Sequence, residues 1–195
     1  MTRESLIEAL TSDSVSRFIE EYLFDRVPHA FAGDRALFLE WKRVLSEAIE
    51  VDAACLTVVG SAAIGYSMNP NKNFKAFDEY SDVDVAVVSH YHFTVAWRYL
   101  RSNPLKRIQV DQRTRFAWDE HVSKYIYWGT IATDKLLGVL PFGRQWIDSR
   151  SRMASIDPTK SRAVNFRIYS DFESLRSYQK VSVGYVRDSL FEGRN

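Results

Sequence analysis

Two short segments of this 195-residue chain carry residue types that can do chemistry together, Gly60-Ser61 and Asp82-Val83-Asp84. The first closes the apolar, β-branched run from Cys55 to Val59, and the second opens the run that ends at Val88. Both runs read as strands. Residues two apart on a strand share a face, so Asp82 and Asp84 project together while Val83 and Val85 turn to the core. Two carboxylates on one face repel each other unless one takes up a proton or a cation lies between them. A hard divalent cation meets that need, and Mg²⁺, with Mn²⁺ as an alternative, binds through one or two carboxylates plus substrate phosphates. Gly60 has no side chain to hold a phosphate off the backbone. Amides at the start of the following helical turn favour an anion, and the Ser61 hydroxyl can donate to a phosphate oxygen. Phosphate recognition beside a metal suits in-line attack of a hydroxyl on an α-phosphate.

The pattern of apolar residues, Gly-Ser, a spacer and Asp-apolar-Asp-apolar over residues 56 to 88 resembles the DNA polymerase β-like nucleotidyltransferase superfamily. Within it, the chain is similar to small single-domain bacterial members found in antiviral defence and toxin–antitoxin loci. Weaker likeness extends to the segment after the second strand, Ser89 to Arg101, and to Asn165 to Gln179. The resemblance implies an α+β fold with a mixed sheet flanked by helices, N-terminal helices and a C-terminal helix. It also implies Mg²⁺-dependent transfer of a nucleoside monophosphate from an NTP or dNTP to a hydroxyl on an oligonucleotide, a nucleic-acid end or a protein. Asp82 and Asp84 would be catalytic and bind metal, and Gly60 and Ser61 would bind the nucleotide. A catalytically weak module that regulates a partner effector protein is the alternative.

Two departures bear on that choice. The spacer is longer than in compact members and adds Lys72, Asn73, Phe74 and Lys75, whose lysines either reach a triphosphate or a nucleic-acid strand or are solvated loop residues. The family also has a third carboxylate on a further strand. Asp111, after Ile108-Gln109-Val110, and Asp134, after Thr130-Ile131-Ala132-Thr133, are the candidates, while the strand-like run Val164 to Tyr169 carries Arg167 where an acid is expected.

The elements that must position these residues follow from periodicity. Residues 1–50 read as helices, with apolar stripes at Leu6, Ile7, Leu10, then Phe18, Ile19, Tyr22, Leu23, then Leu37, Trp41, Val44, Leu45, Ala48. Residues 51–112 hold the two motifs, with a loop from Met68 to Tyr80, a helix through Phe93, Trp97 and Leu100 that stops near Pro104, and a short strand at Ile108 to Val110. Residues 113–195 are expected to be helical with one strand, Val164 to Tyr169. A final helix there is opened by a Ser170/Glu173 capping box and followed by Gly193. That helix reads first as an amphipathic helix packed on the core with a solvated basic face; alternatively a base stacks on Tyr178 or Tyr185, with Arg176 or Lys180 holding phosphate. His90 and His92 lack a third ligand nearby and suit a helix start.

The composition fits one domain of ordinary globular type, with 46% apolar residues and a net charge of +1. That charge excludes a bulk basic nucleic-acid binder. The single cysteine, Cys55, excludes an internal disulfide or a thiolate cluster and reads as a buried, inert thiol. No stretch approaches the ~20 apolar residues of a membrane span, so the expected location is cytoplasmic.

Overall fold

The computed structural model describes residues 1–192. Its centre is one four-stranded mixed sheet made of β1 (Leu56–Val59), β2 (Val83–Val88), β3 (Thr130–Ala132) and β4 (Val164–Tyr169). The strand order is β1-β2-β4-β3. Strand β2 runs antiparallel to β1 and parallel to β4, and β3 runs antiparallel to β4. Strand β2 is central and valine-rich. Val83, Val85 and Val87 enter the main core with Phe166 and Ile168, whereas Ala86 and Val88 lie on the opposite face with Val59 and Tyr169.

Helices cover both faces. The N-terminal helices are α1 (Arg3–Ser12), α2 (Val15–Ile19, continued by a π-turn to Phe24) and α3 (Arg35–Ile49). Trp41 of α3 is fully buried and donates its indole N–H to Thr159 Oγ1 at 2.9 Å, which removes the cost of burying that polar atom. A four-residue turn, α4 (Ser61–Ile64), follows β1, and α5 (His90–Ser102), capped by Ser89, follows β2. Then come α6 (Pro104–Gln109), α7 (Gln112–Glu120, continued by a π-turn to Tyr125), α8 (Gly143–Met153) and α9 (Phe172–Glu192). Leu175 of α9 covers the second sheet face, with Tyr178 packed beside it. The α+β architecture and the flanked mixed sheet therefore agree with expectation. Among the described residues no helix is long and apolar enough to cross a membrane.

Several local expectations are corrected. Ile108 to Val110 is not a strand, because Pro104 takes the first helical position and starts α6, whose ladder closes at Val110. The C-terminal part carries two strands rather than one. Strand β3 is three residues long and exists because β4 pairs with it, too short a run to announce itself by alternation. Helix α9 is capped by Asp171, whose Oδ1 accepts from the Ser174 amide at 2.7 Å, while the Ser170 hydroxyl turns to Asp171 Oδ2. Gly193 lies outside the described residues. Cys55 sits in a 3₁₀ turn before β1 and is only half-buried, its thiol pKa pushed up chiefly by burial.

Candidate functional site

Strand β1 ends at Gly60, whose backbone angles of φ 67° and ψ −148° lie in a region that residues with a Cβ avoid. The chain thereby turns sharply into α4, and Gly60 comes to rest against β2. A Cβ at position 60 would stand 3.4 Å from Asp84 Oδ2. The register pairs Val59 with Asp84, so antiparallel pairing itself sets the Gly-Ser turn beside the Asp-x-Asp segment. Gly60→Ala should cost about 1–2 kcal/mol from backbone strain. That corresponds to a fall in Tm of roughly 2–8 °C for a chain of this size, readable by thermal denaturation. An unchanged Tm would mean that the turn needs no glycine.

Asp82 lies just before β2, and Asp84 lies on it. Both are solvent-accessible, while Val83 and Val85 between and beyond them are buried. Asp84 also faces Asn165 across the β2–β4 pair. The Asn165 amide donates to Asp82 Oδ2 at 3.4 Å. Its orientation is fixed from behind, because Arg150 of α8 donates to Asn165 Oδ1 at 2.9 Å and to the Val164 carbonyl at 2.8 Å. With its oxygen engaged by Arg150, the amide can offer only N–H to the carboxylates.

Asp84 and Asn165 border a cleft of roughly 280 Å³ that is also lined by Gly60, Asp134, Arg167 and Tyr178, whereas Asp82 and Ser61 are not among its lining residues. The Asp84 pKa is raised, first by the protein that surrounds it and next by the Asp82 charge. The Asn165 hydrogen bond and Arg167 pull it back, and Asp134 pushes it up again. Arg167 lies within cation–π distance of two rings, with its Cζ 4.8 Å from the Tyr178 centroid and 5.5 Å from that of Tyr125. Its Nη1 is buried without a hydrogen-bond partner among the described residues.

The two candidates for a third acid separate. Asp134 follows β3 and lines the cleft. Asp111 caps α7, with its carboxylate bonded to the Thr114 amide at 3.0 Å and the Thr114 hydroxyl at 2.6 Å, and it is exposed. It is not among the cleft residues. The spacer loop folds back by a Tyr66–Ala76 bridge and buries Phe74. Lys75 is exposed and paired with Asp78 at 2.8 Å, Lys72 is exposed in the same loop, and neither lines the cleft. Tyr178 reaches the cleft, whereas Tyr185 stays exposed on α9. His90 opens α5, and His92 is buried against Phe142 and Trp146.

The donor set fits a hard cation held by two carboxylates. The oxygens are of the right type, they share one end of β2, and burial together with the Asp82 charge disfavours the ionised form of Asp84, a cost that a cation would relieve. Among the described residues, no three His, Cys, Asp or Glu side chains gather closely enough to hold a metal by themselves. Asn165 and Arg150 were not legible in advance, since their roles depend on the β2–β4 register and on α8. The chain matches no family model, no curated protein and no solved structure.

Proposed function

We propose that this chain binds a nucleoside triphosphate with Mg²⁺ in the cleft and transfers its nucleoside monophosphate to a hydroxyl acceptor, as the resemblance to polymerase β-like nucleotidyltransferases implies. The observation that carries the reading is the apposition of Gly60 and Asp84 across paired strands, 3.4 Å from a virtual Cβ to the carboxylate. Asp82 and Asp84 would hold the cation, with Asp134 on the far wall. Bound there, Mg²⁺ would neutralise phosphate charge and act as a Lewis acid. Gly60 lets a phosphate approach the backbone, and the Ser61 hydroxyl donates to it. The guanidinium of Arg167 faces charge that develops as the acceptor oxygen bonds to the α-phosphorus and the α–β bridging bond breaks, releasing pyrophosphate.

Incubation with each labelled NTP or dNTP, Mg²⁺ and candidate acceptors should yield a labelled product and pyrophosphate. Asp82→Ala/Asp84→Ala should yield neither. Identical products from both proteins would refute the assignment.

A second reading is favoured by Arg167, which stands on β4 where a third acid would complete a metal site. In that reading the cleft binds nucleotide without turnover, and the chain regulates a partner effector, in the manner of a defence or toxin–antitoxin component. Metal-dependent nucleotide binding with no product from any acceptor would select it. Cytoplasmic residence would suit either role.

A further inference from the structure

A second concavity of about 200 Å³ lies further back along the edge strand β1, lined from α3 by Phe38 and Lys42 and from α9 by Phe172 and Arg176. Leu23 lines both, and Thr57 and Val58 border the second where Val59 and Gly60 border the first. At ~3.3 Å per strand residue, Thr57 sits about 10 Å from Gly60. The character of the lining changes over that distance. Asp84, Asp134 and Arg167 line the first cleft, while three cations, Arg26, Lys42 and Arg176, line the second. No carboxylate lines the second among the described residues.

Two of the three cations are not spent on structural pairs. Among the described residues neither Arg26 nor Lys42 forms a salt bridge. Both are half-buried. Lys42 lies over the Phe38 ring at 5.4 Å, and burial holds its ammonium pKa below the ordinary lysine value despite the pull of Asp52. The Asp52 carboxylate is itself engaged with the Ala54 amide at 2.7 Å. Arg176 does have a partner, Glu20 at 3.0 Å, but that pair is exposed and therefore worth little. Two half-buried cations without a salt-bridge partner, beside a third whose partner is exposed, make a receptor for an anion with several acceptor oxygens.

We infer that the pocket formed by Arg26, Lys42 and Arg176 beside β1 is a phosphate-binding site, separate from the cleft lined by Asp84 and Asp134. The phosphate comes either from a small phosphorylated ligand or from the backbone of a single nucleic-acid strand, and both present the same chemistry to the pocket. The inference does not depend on nucleotidyl transfer. It would stand if the first cleft proved inert.

The test is titration of the full chain with inorganic phosphate and, separately, with a short single-stranded oligonucleotide, followed by amide chemical shifts in two-dimensional NMR. Perturbations should centre on Arg26, Lys42, Thr57 and Val58. Affinity should drop at least tenfold in Arg26→Gln/Lys42→Met, which keeps most of both apolar stems, and should be unchanged in Asp82→Asn/Asp84→Asn. Binding of phosphate identifies a small ligand as sufficient, and binding of the oligonucleotide alone identifies a strand. Failure of both ligands to perturb these amides would overturn the inference. Equal affinity in wild type and a folded Arg26→Gln/Lys42→Met variant would overturn it as well.

Discussion

Asp84→Asn should abolish Mg²⁺-dependent nucleotide binding while leaving the metal-free protein at least as stable as the wild type. The two effects have one cause. Asp84 is surrounded by protein and stands beside Asp82, so its ionised form is disfavoured in the fold and its pKa is raised. A folded pKa above the unfolded one means that the ionised group costs stability at neutral pH, and that the cost is relieved as pH falls through the folded value. Asparagine removes the charge, keeps the shape and can still meet Asn165. The same disfavoured charge, only partly offset by Asn165 and Arg167, is what a cation would bind. Metal stabilisation of transferring phosphate is worth several kcal/mol, and each 1.36 kcal/mol is a factor of ten, so transfer should fall by about 10³-fold or more. Thermal denaturation with and without Mg²⁺ and a non-hydrolysable nucleotide reads both effects. The wild type should gain Tm with the pair of ligands, and Asp84→Asn should not. An equal ligand-induced gain in both proteins, or a metal-free variant several degrees less stable, would refute the account. Such a trade, in which a site residue costs stability and supplies function, is common where charge is held ready for a ligand.

The parts of the site that could be read in advance are those carried by consecutive residues. Gly60-Ser61 and Asp82-Val83-Asp84 sit at the ends of valine-rich strands whose alternation fixes the direction of each side chain, and β1–β2 pairing then brings them together. The third acid could not be read that way. Asp111 and Asp134 each follow a short apolar run, and the runs look alike on paper. Pro104 turns one into a helix, and pairing with Tyr169, Ile168 and Arg167 turns the other into an edge strand. That choice is made by tertiary contacts, which local propensity does not record. Asn165 and Arg167 belong to the same category. They alternate with core residues on β4 as any half-exposed strand residues would, and only the register Asp84↔Asn165 and Ala86↔Arg167 assigns them to the cleft.

His121 ties that edge strand to α7 through the Ala132 amide, and its loss should lower both stability and function. It is 2% exposed. Nδ1 lies 2.5 Å from the Ala117 carbonyl, and Nε2 accepts the Ala132 amide at 2.9 Å. The ring is therefore neutral with its proton on Nδ1, because an Nε2 proton would face another donor. Burial is the main reason its pKa is lowered, and Arg167 adds to the effect. Above about pH 6.5, the unfolded value, folded and unfolded imidazoles are both neutral and the full stability is present. As pH falls below that value the unfolded chain takes up a proton that the fold refuses, and stability declines until the folded pKa is passed. His121→Phe keeps the ring volume but leaves the buried Ala132 amide unpaired, at about 1–3 kcal/mol. That is a fall in Tm of roughly 2–12 °C. The gap between the two proteins should narrow between pH 6.5 and pH 5, since only the wild type has this acid-sensitive ring. A gap that stays constant over that range would show that His121 is not the titrating group. The functional consequence follows from chain order. Ala132 leads to Thr133, whose hydroxyl donates to the Phe166 carbonyl at 2.8 Å, and then to Asp134 in the cleft. Loosening Ala132 from His121 frees the segment that presents Asp134, so metal-dependent nucleotide binding should weaken in His121→Phe at temperatures well below its Tm. Binding equal to wild type in the fully folded variant would show that Asp134 does not need this tether.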